Sequence, residues 1–506
     1  MKFRTAAIAL ALTSASALLL AGCSAPAAEP QEDLTLTLAP VADVATFAPQ
    51  QAGDGHAVQW SQPVYDTLIH QLPDGSFEGM LAREWNYNDD QTVLTLELQT
   101  GVTFEDGTAF DAEAVKVNLE ATRDGTGALS TQLAAIDDVE VVDDDTVELH
   151  LTAPDPSLIR GLSQPSGMIA NPAKVGTEEL ATEPDGTGPY VLDLDRTVRG
   201  SEYVFVKKDN YWNTAIELPY STLIYKPMTD LTARVNALLA GQVDGAYIDT
   251  KTMDQVAGSG ASVIEYPAAG VVGLFLLDRA GTIQPALADV RVRQAINLAI
   301  DRAAMLTQLR AGLGTVTEQI FNPQSAAFDE ALNETYPYDV EEARALMAEA
   351  GYADGFTIDV PEIAAFPEGT ILAQALADIG ITINWAKVAP AELLNEMRSG
   401  KYPVILMQLQ STDPWQAIQF FVSPTAPWNI LGSQDAELTE LIDEAQFATG
   451  TEQLAVYGEI NQWLVDEAWF APFYFPSNIY ATSSTVTVEA QYQQGVPSIY
   501  NFSPAE

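Results

Sequence analysis

Two α/β lobes joined by two chain crossings are the architecture this sequence predicts, on three observations. The chain has 506 residues, more than one folding unit of ordinary size. Strand-like segments dominate before about residue 270, and helices alternating with short strands dominate after it, an order that gives sheets covered by helices. Two apolar, sheet-like segments, 271–277 and 470–480, are placed to carry the chain across and back. Two crossings make a hinge, and a cleft between hinged lobes favours a small ligand.

The elements follow from local patterns. Residues 34–39 alternate apolar and polar side chains, the period of a half-buried strand. Residues 92–98 do the same, with Leu94, Leu96 and Leu98 on one face. Asp111 is set to cap a helix carrying Ala114, Val115 and Leu119 before Gly125. Residues 139–151 read as two strands around the turn Asp143, Asp144, Asp145. Strands over 203–207 and 221–225 then precede a helix that starts at Thr229 or Asp230 and stops at Gly241. Helices are expected over 290–309, 340–350, 371–379, 391–398, 435–448 and 452–466, with strands over 381–385 and 404–408 between them. Asp339 and Glu342 have capping-box spacing, and Gly351 sits where a left-handed stop is wanted.

Ahead of the first strand, Lys2 and Arg4 precede an apolar run over 6–20, which ends in Leu20, Ala21, Gly22 and Cys23. A basic start, a short apolar core and small residues at the end make a secretory leader, too short to span a bilayer. The end of this run resembles the lipobox of bacterial lipoproteins. That implies cleavage after residue 22, lipidation of Cys23 and a tether over 23–33. Lipid chains supply ~0.8 kcal/mol per buried methylene, so several would hold the protein to the outer face of the membrane.

Composition excludes several functions. With 23 basic residues and a formal charge of −47, the chain lacks the cationic surface that nucleic acid requires. The acidic clusters read as solvated surface favouring a soluble monomer. They lack the spaced ligands and central glycine of a calcium loop. Cys23 is the single cysteine, so disulfides and thiolate chemistry are not expected beyond the anchor. There is no glycine-flanked nucleophile serine and no zinc-protease helix, and the corner at Gly186 and Gly188 has too few glycines and no following lysine for a phosphate loop. His56, His70 and His150 are the only histidines. No enzyme activity, cofactor or resident metal is expected, although a chelated metal resting on His56 stays open.

An ordered set of blocks carries a resemblance. It runs through Tyr65, Asp66, Thr67, Leu68; Pro73, Asp74, Gly75; Gly101 to Phe104, Asp106, Gly107, Thr108; Gly186, Thr187, Gly188, Pro189, Tyr190; Asn210, Tyr211, Trp212; Asp289 through Arg302; and Tyr336 through Phe356. In this order they resemble the extracytoplasmic solute-binding proteins of the peptide and nickel class, which serve ABC importers. The resemblance implies a periplasmic-binding-protein-like (Venus flytrap) fold with an extra subdomain in the first lobe. The expected division is lobe I over 34–270, including an inserted subdomain at about 76–185, lobe II over 271–477, and a return to lobe I over 478–506.

The same resemblance sets the segment before Tyr65 at the cleft, which makes His56, Gln59 and Trp60 candidate wall residues. The crossing strand near Phe275 is expected to lend backbone groups. The strand ending at Gln408 leads into Gln410, Ser411, Thr412, Asp413, Pro414, Trp415. Peptide-binding relatives carry two aspartates here, three positions apart. Asp413 matches the second, and Gln410 replaces the first, which pairs with the peptide amine; a neutral amide cannot make that charge-assisted bond. Asp413 is a candidate to take over the role, and Trp415 and Trp428 are candidates for the cavity floor. The function implied is capture of a small solute, a short peptide first, and its delivery to an ABC permease and ATPase complex. A receptor for a nickel or other metal chelate or an oligosaccharide is the alternative, with a surface hydrolase last.

Overall fold

A computed structural model describes residues 33–53, 55–363, 366–389 and 392–505. The leader and Cys23 lie outside the described residues. None of the helices described is long and apolar enough to cross a membrane.

A ten-stranded sheet runs through both lobes. In order it holds Val404–Gln410, Gly270–Leu276, Ala471–Thr482, Gly245–Tyr247, Thr35–Ala39, Thr222–Tyr225, Tyr203–Lys207 and Tyr190–Leu192, and both Ser262–Pro267 and Gly314–Val316 also pair with the long strand Ala471–Thr482. Thr35–Ala39 has parallel neighbours on both sides, so its Leu36 and Leu38 are buried in the first lobe's core, as parallel strands require.

The lobes communicate through two strands that run side by side. Ser262–Pro267 pairs antiparallel with the far half of the long strand, from Ser477 to Thr482. Gly270–Leu276 pairs with its near half at Ala471, Pro472 and Tyr474, after a register shift between Val272 and Gly273. Gly273 is required there, because a Cβ would lie 2.8 Å from the Pro472 backbone.

Helices cover the second lobe's half of the sheet on both faces. One core gathers Leu274, Ile296, Leu372 and Leu406, the other Phe275, Ile405, Phe421 and Ile460. The helix expected over 290–309 is two helices, Val290–Leu298 and Arg302–Arg310. Asp301 breaks it by capping the second through the Ala304 amide at 2.9 Å. The buried polar residues of this stretch hold the returning chain. Arg293 Nη2 donates to the Glu467 carbonyl at 2.8 Å, Asn297 Nδ2 to that of Phe470 at 3.0 Å, and Arg302 Nε to that of Pro472 at 2.8 Å.

Within the first lobe a second sheet, ordered Ala82–Tyr87, Val93–Leu98, Thr146–Leu151 and Ile136–Asp143, packs on the helix Ala112–Arg123. Leu94, Leu96 and Leu98 are fully buried in that core. The corner at Gly186 and Gly188 abuts the 58–65 turn, where a Cβ on either would fall 2.4 Å from Val64 or Tyr65. Asp66 is wholly buried and accepts from Tyr211 Oη at 2.8 Å and Trp212 Nε1 at 2.7 Å.

Candidate functional site

Where the two lobes meet, beside the long strand, lies a groove of about 440 Å³, within the usual size of small-molecule sites. One wall is Tyr247 to Lys251, which follows the first-lobe strand Gly245–Tyr247. The facing wall is Leu309, Arg310 and Leu313, at the end of Arg302–Arg310, together with Pro367. Ser477, Asn478 and Ile479 of the crossing strand form the floor. Ser477 and Asn478 are the polar break in an otherwise apolar run, and they are half-buried while its other residues are buried.

Tyr247 is fixed from two sides. Its hydroxyl lies 2.5 Å from that of Tyr266, and its ring meets His56 edge-on at 4.8 Å and Tyr480 at 5.4 Å. His56 is thus attached to the groove wall. Desolvation by the surrounding protein, with Arg234 adding, lowers its pKa, so the imidazole is neutral at pH 7. Arg310 is held from behind: its Nη2 donates to Glu368 Oε1 at 3.1 Å, and the same oxygen accepts from the Tyr474 hydroxyl. Glu368 is wholly buried.

A second set of contacts closes the lobes on each other. Tyr492 Oη donates to the Gln324 carbonyl at 2.8 Å, and the Gln493 amide to Gln324 Oε1 at 3.2 Å. Gln91 Nε2 donates to the Phe447 carbonyl at 3.0 Å and Gln446 Nε2 to that of Pro154 at 2.9 Å. Arg160 leans on Gln71 and Gln493, each at 3.4 Å. Asp413 caps the short helix Pro414–Ala417 through the Gln416 amide at 3.1 Å. Burial pushes its carboxyl up to about 6 against the opposing pull of Arg160.

The residues expected at the site divide by chemistry. Gln408 and Gln410 are exposed at the end of their strand. Gln408 makes only a 3.4 Å contact to the Gly270 carbonyl, and Gln410 makes no side-chain hydrogen bond among the described residues. Gln59 is buried and spends its amide on the His56 carbonyl at 2.8 Å. The large rings lie inside. Trp60 packs edge-on to Tyr203 and Tyr225 in the first lobe's core. Phe275 stacks on Phe421 at 5.7 Å, and Trp415 and Trp428 share that second-lobe core. Each is at most 6% exposed, because burying a ring gains more than leaving it against water.

Sequence reasoning missed Tyr247, Lys251, Arg310 and Asn478. Asn478 had a signal, since an amide within PFYFPSNIY breaks the apolar pattern. The other three come from segments whose meeting is fixed by the crossing strands and leaves no local trace.

Residues 76–429 match the family model for bacterial extracellular solute-binding proteins, family 5 middle. Among curated proteins, the chain is similar to a glutathione-binding protein, GsiB, of Escherichia coli O1:K1 / APEC, 28% identical over 70% of this chain and 67% of that one. The GsiB of Pectobacterium atrosepticum is 28% identical over 61% of this chain and 60% of its own. Among solved structures, HbpA2 from Haemophilus parasuis superposes with a TM-score of 0.83 at 22% identity, covering 94% of this chain and 100% of that one. NikA from Brucella suis, in complex with Fe(III)-EDTA, gives 0.80 at 23% identity with the same coverage. These superpositions show a shared two-lobed α/β fold.

Proposed function

The chain belongs to the bacterial extracellular solute-binding proteins of family 5, and from that membership we propose that it captures a short peptide between its lobes and hands it on unaltered. It is the substrate-binding protein of an ABC importer, works outside the cytoplasm, and is a transport binding protein, not an enzyme. The observation that carries the peptide reading is the groove of about 440 Å³ walled by both lobes and floored by the crossing strand. Closing on a ligand held there buries it on several sides at once.

The chemistry of the walls suits a peptide. Ser477 and Asn478 on the groove's floor offer both donors and acceptors, as peptide bonds require, and the exposed Gln408 and Gln410, which lie outside that lining, add further amides in this reading. Asp413 is the acceptor for the α-amine, in place of the charge that Gln410 lacks. His56 extends the wall beyond Tyr247. Lobe I over 34–270, with an inserted subdomain at about 76–185, lobe II over 271–477 and a return over 478–506 complete the reading. So does a Cys23 lipid anchor on a monomer. The relatives named for glutathione support a peptide-like solute, and NikA with its iron chelate keeps a metal-chelate receptor as the second reading.

Mass spectrometry of solute released from protein purified without refolding tests this directly. A peptide recovered intact supports the reading. A recovered metal chelate moves it to the alternative, and conversion of bound solute to product rejects both.

A further inference from the structure

We propose that Glu140, Glu148 and His150 bind one divalent transition-metal ion of the zinc class on the outer face of the inserted sheet. None of the three lines the groove, so the inference goes beyond the receptor reading and does not depend on it. Strand pairing assembles the site. Glu140 of Ile136–Asp143 stands directly opposite Glu148 of Thr146–Leu151, and His150 follows two residues along the same strand, hence on the same face. Val139, Val147 and Leu149 turn the other way into the core, which leaves the three candidate ligands on the solvent side.

The spacing suits three ligands on one ion. His150 Nε2 lies 3.1 Å from Glu140 Oε2 and 3.7 Å from Glu148 Oε2, and one ligand atom from each residue falls within 4.8 Å of the other two. Zinc bonds to imidazole nitrogen and carboxylate oxygen are about 2.0–2.2 Å long, so tetrahedral ligand atoms stand about 3.3–3.6 Å apart. Small side-chain rotations bring the three to that spacing, and the fourth position is left to water. One imidazole beside two carboxylates suits zinc and its first-row neighbours, whereas calcium and magnesium prefer oxygen alone.

Charge balance calls for a cation here. Like charges directly opposite each other weaken a ladder, and Glu140 and Glu148 have His150 as their one ion-pair partner among the described residues. Elsewhere on this sheet Glu97 and Asp145 share Arg83, at 3.1 and 3.4 Å. A divalent ion neutralises both glutamates at once, and the field of a chain of formal charge −47 draws cations toward it. His70 is the contrast, since it meets a single carboxylate, that of Glu78 at 3.0 Å, and has no third ligand beside it among the described residues.

The test uses the untagged full chain, stripped of metal by a chelator, with zinc chloride and magnesium chloride as probes in calorimetry. The site predicts one zinc ion bound at least tenfold more tightly than magnesium. It also predicts that His150→Gln and Glu148→Gln each weaken zinc binding at least tenfold, while His70→Gln leaves it unchanged. Zinc should raise the melting temperature of the chain but not that of His150→Gln, and without zinc the two should melt alike, which shows that the variant folds. X-ray absorption of the zinc-loaded chain should show nitrogen and oxygen neighbours, an imidazole among them, and no sulfur, which separates this site from Cys23. Absence of zinc binding, equal zinc affinity in His150→Gln, or zinc bound through sulfur overturns the proposal and leaves His150 as an ion-pair partner of the two glutamates, with the receptor reading untouched.

Discussion

Gln91 and Phe447, 356 residues apart in the chain, meet where Gln91 Nε2 donates to the Phe447 carbonyl at 3.0 Å. The contact joins the turn before Val93–Leu98, in the inserted sheet, to the end of the second-lobe helix Ala436–Phe447. Gln91 holds this position with a left-handed backbone, φ 54°, an uncommon conformation for a residue with a side chain. Gln446 and Pro154 make a parallel link at 2.9 Å.

These links bridge the first and second lobes. An exposed hydrogen bond contributes about 0.5–1.5 kcal/mol, so Gln91→Ala with Gln446→Ala should weaken closure by a few-fold to about tenfold. Lobe-to-lobe distances followed by paired spin labels should lengthen in the ligand-free variant, with the melting temperature little changed. Unchanged distances would show that Tyr492 and Gln324 carry closure alone.

Asp413 gives stability a pH dependence of definite sign. Its carboxyl titrates near 6 in the native protein, above its ordinary 3.8, because burial outweighs Arg160. The native state therefore keeps a proton that the unfolded chain releases, and stability falls as pH rises from about 4 to 6. At about 1.4 kcal/mol per pKa unit, discounted for partial exposure, the cost above pH 6 is about 1–3 kcal/mol. Asp413→Asn should recover that stability at pH 7 and flatten the slope between pH 4 and 6 in urea titrations. An unchanged slope would remove Asp413 as its source.

Asp66 should be intolerant of substitution. It is wholly buried, with the half-buried Tyr211 and Trp212 as donors, so Asp66→Ala leaves two donors without their acceptor and opens a cavity. A loss of about 3–5 kcal/mol is expected, read as a lowered denaturant midpoint. A loss under 1 kcal/mol would mean that water replaces the carboxylate.

Gly188 leaves no room for a side chain, since a Cβ would lie 2.4 Å from the Val64 carbonyl carbon. Gly188→Ala must displace the turn that leads into Tyr65 and should cost more than about 2 kcal/mol. Gly107→Ala is a useful contrast. Its Cβ would meet nothing within 4 Å, but its φ of 86° strains any side chain, so a loss of about 1 kcal/mol is expected. Calorimetric melting should rank the two in this order.

These residues also show how far the sequence could be read. Tyr65 to Leu68, Gly186 to Tyr190 and Asn210 to Trp212 are far apart in the chain but touch in space, so their joint presence marked the scaffold. The break at Asp301 was harder to see, because residues 290–309 keep a helical pattern across it and a capping aspartate looks like any polar position. At the candidate site, Gln408 and Gln410 end a strand with exposed side chains, as polar residues there should, but neither lines the groove. Trp60 and Phe275 carried no mark to separate a ring that packs a core from one that faces a solute. Lys251 and Arg310 line one groove only because the crossing strands bring their segments together, a relationship that no window of sequence contains.

Small-angle scattering of the purified protein, before and after addition of the solute recovered from it, tests the central claim most directly. Two lobes closing over an unaltered guest predict a smaller radius of gyration on binding and recovery of the same compound on release. An unchanged scattering profile, or a solute released in altered form, would contradict it.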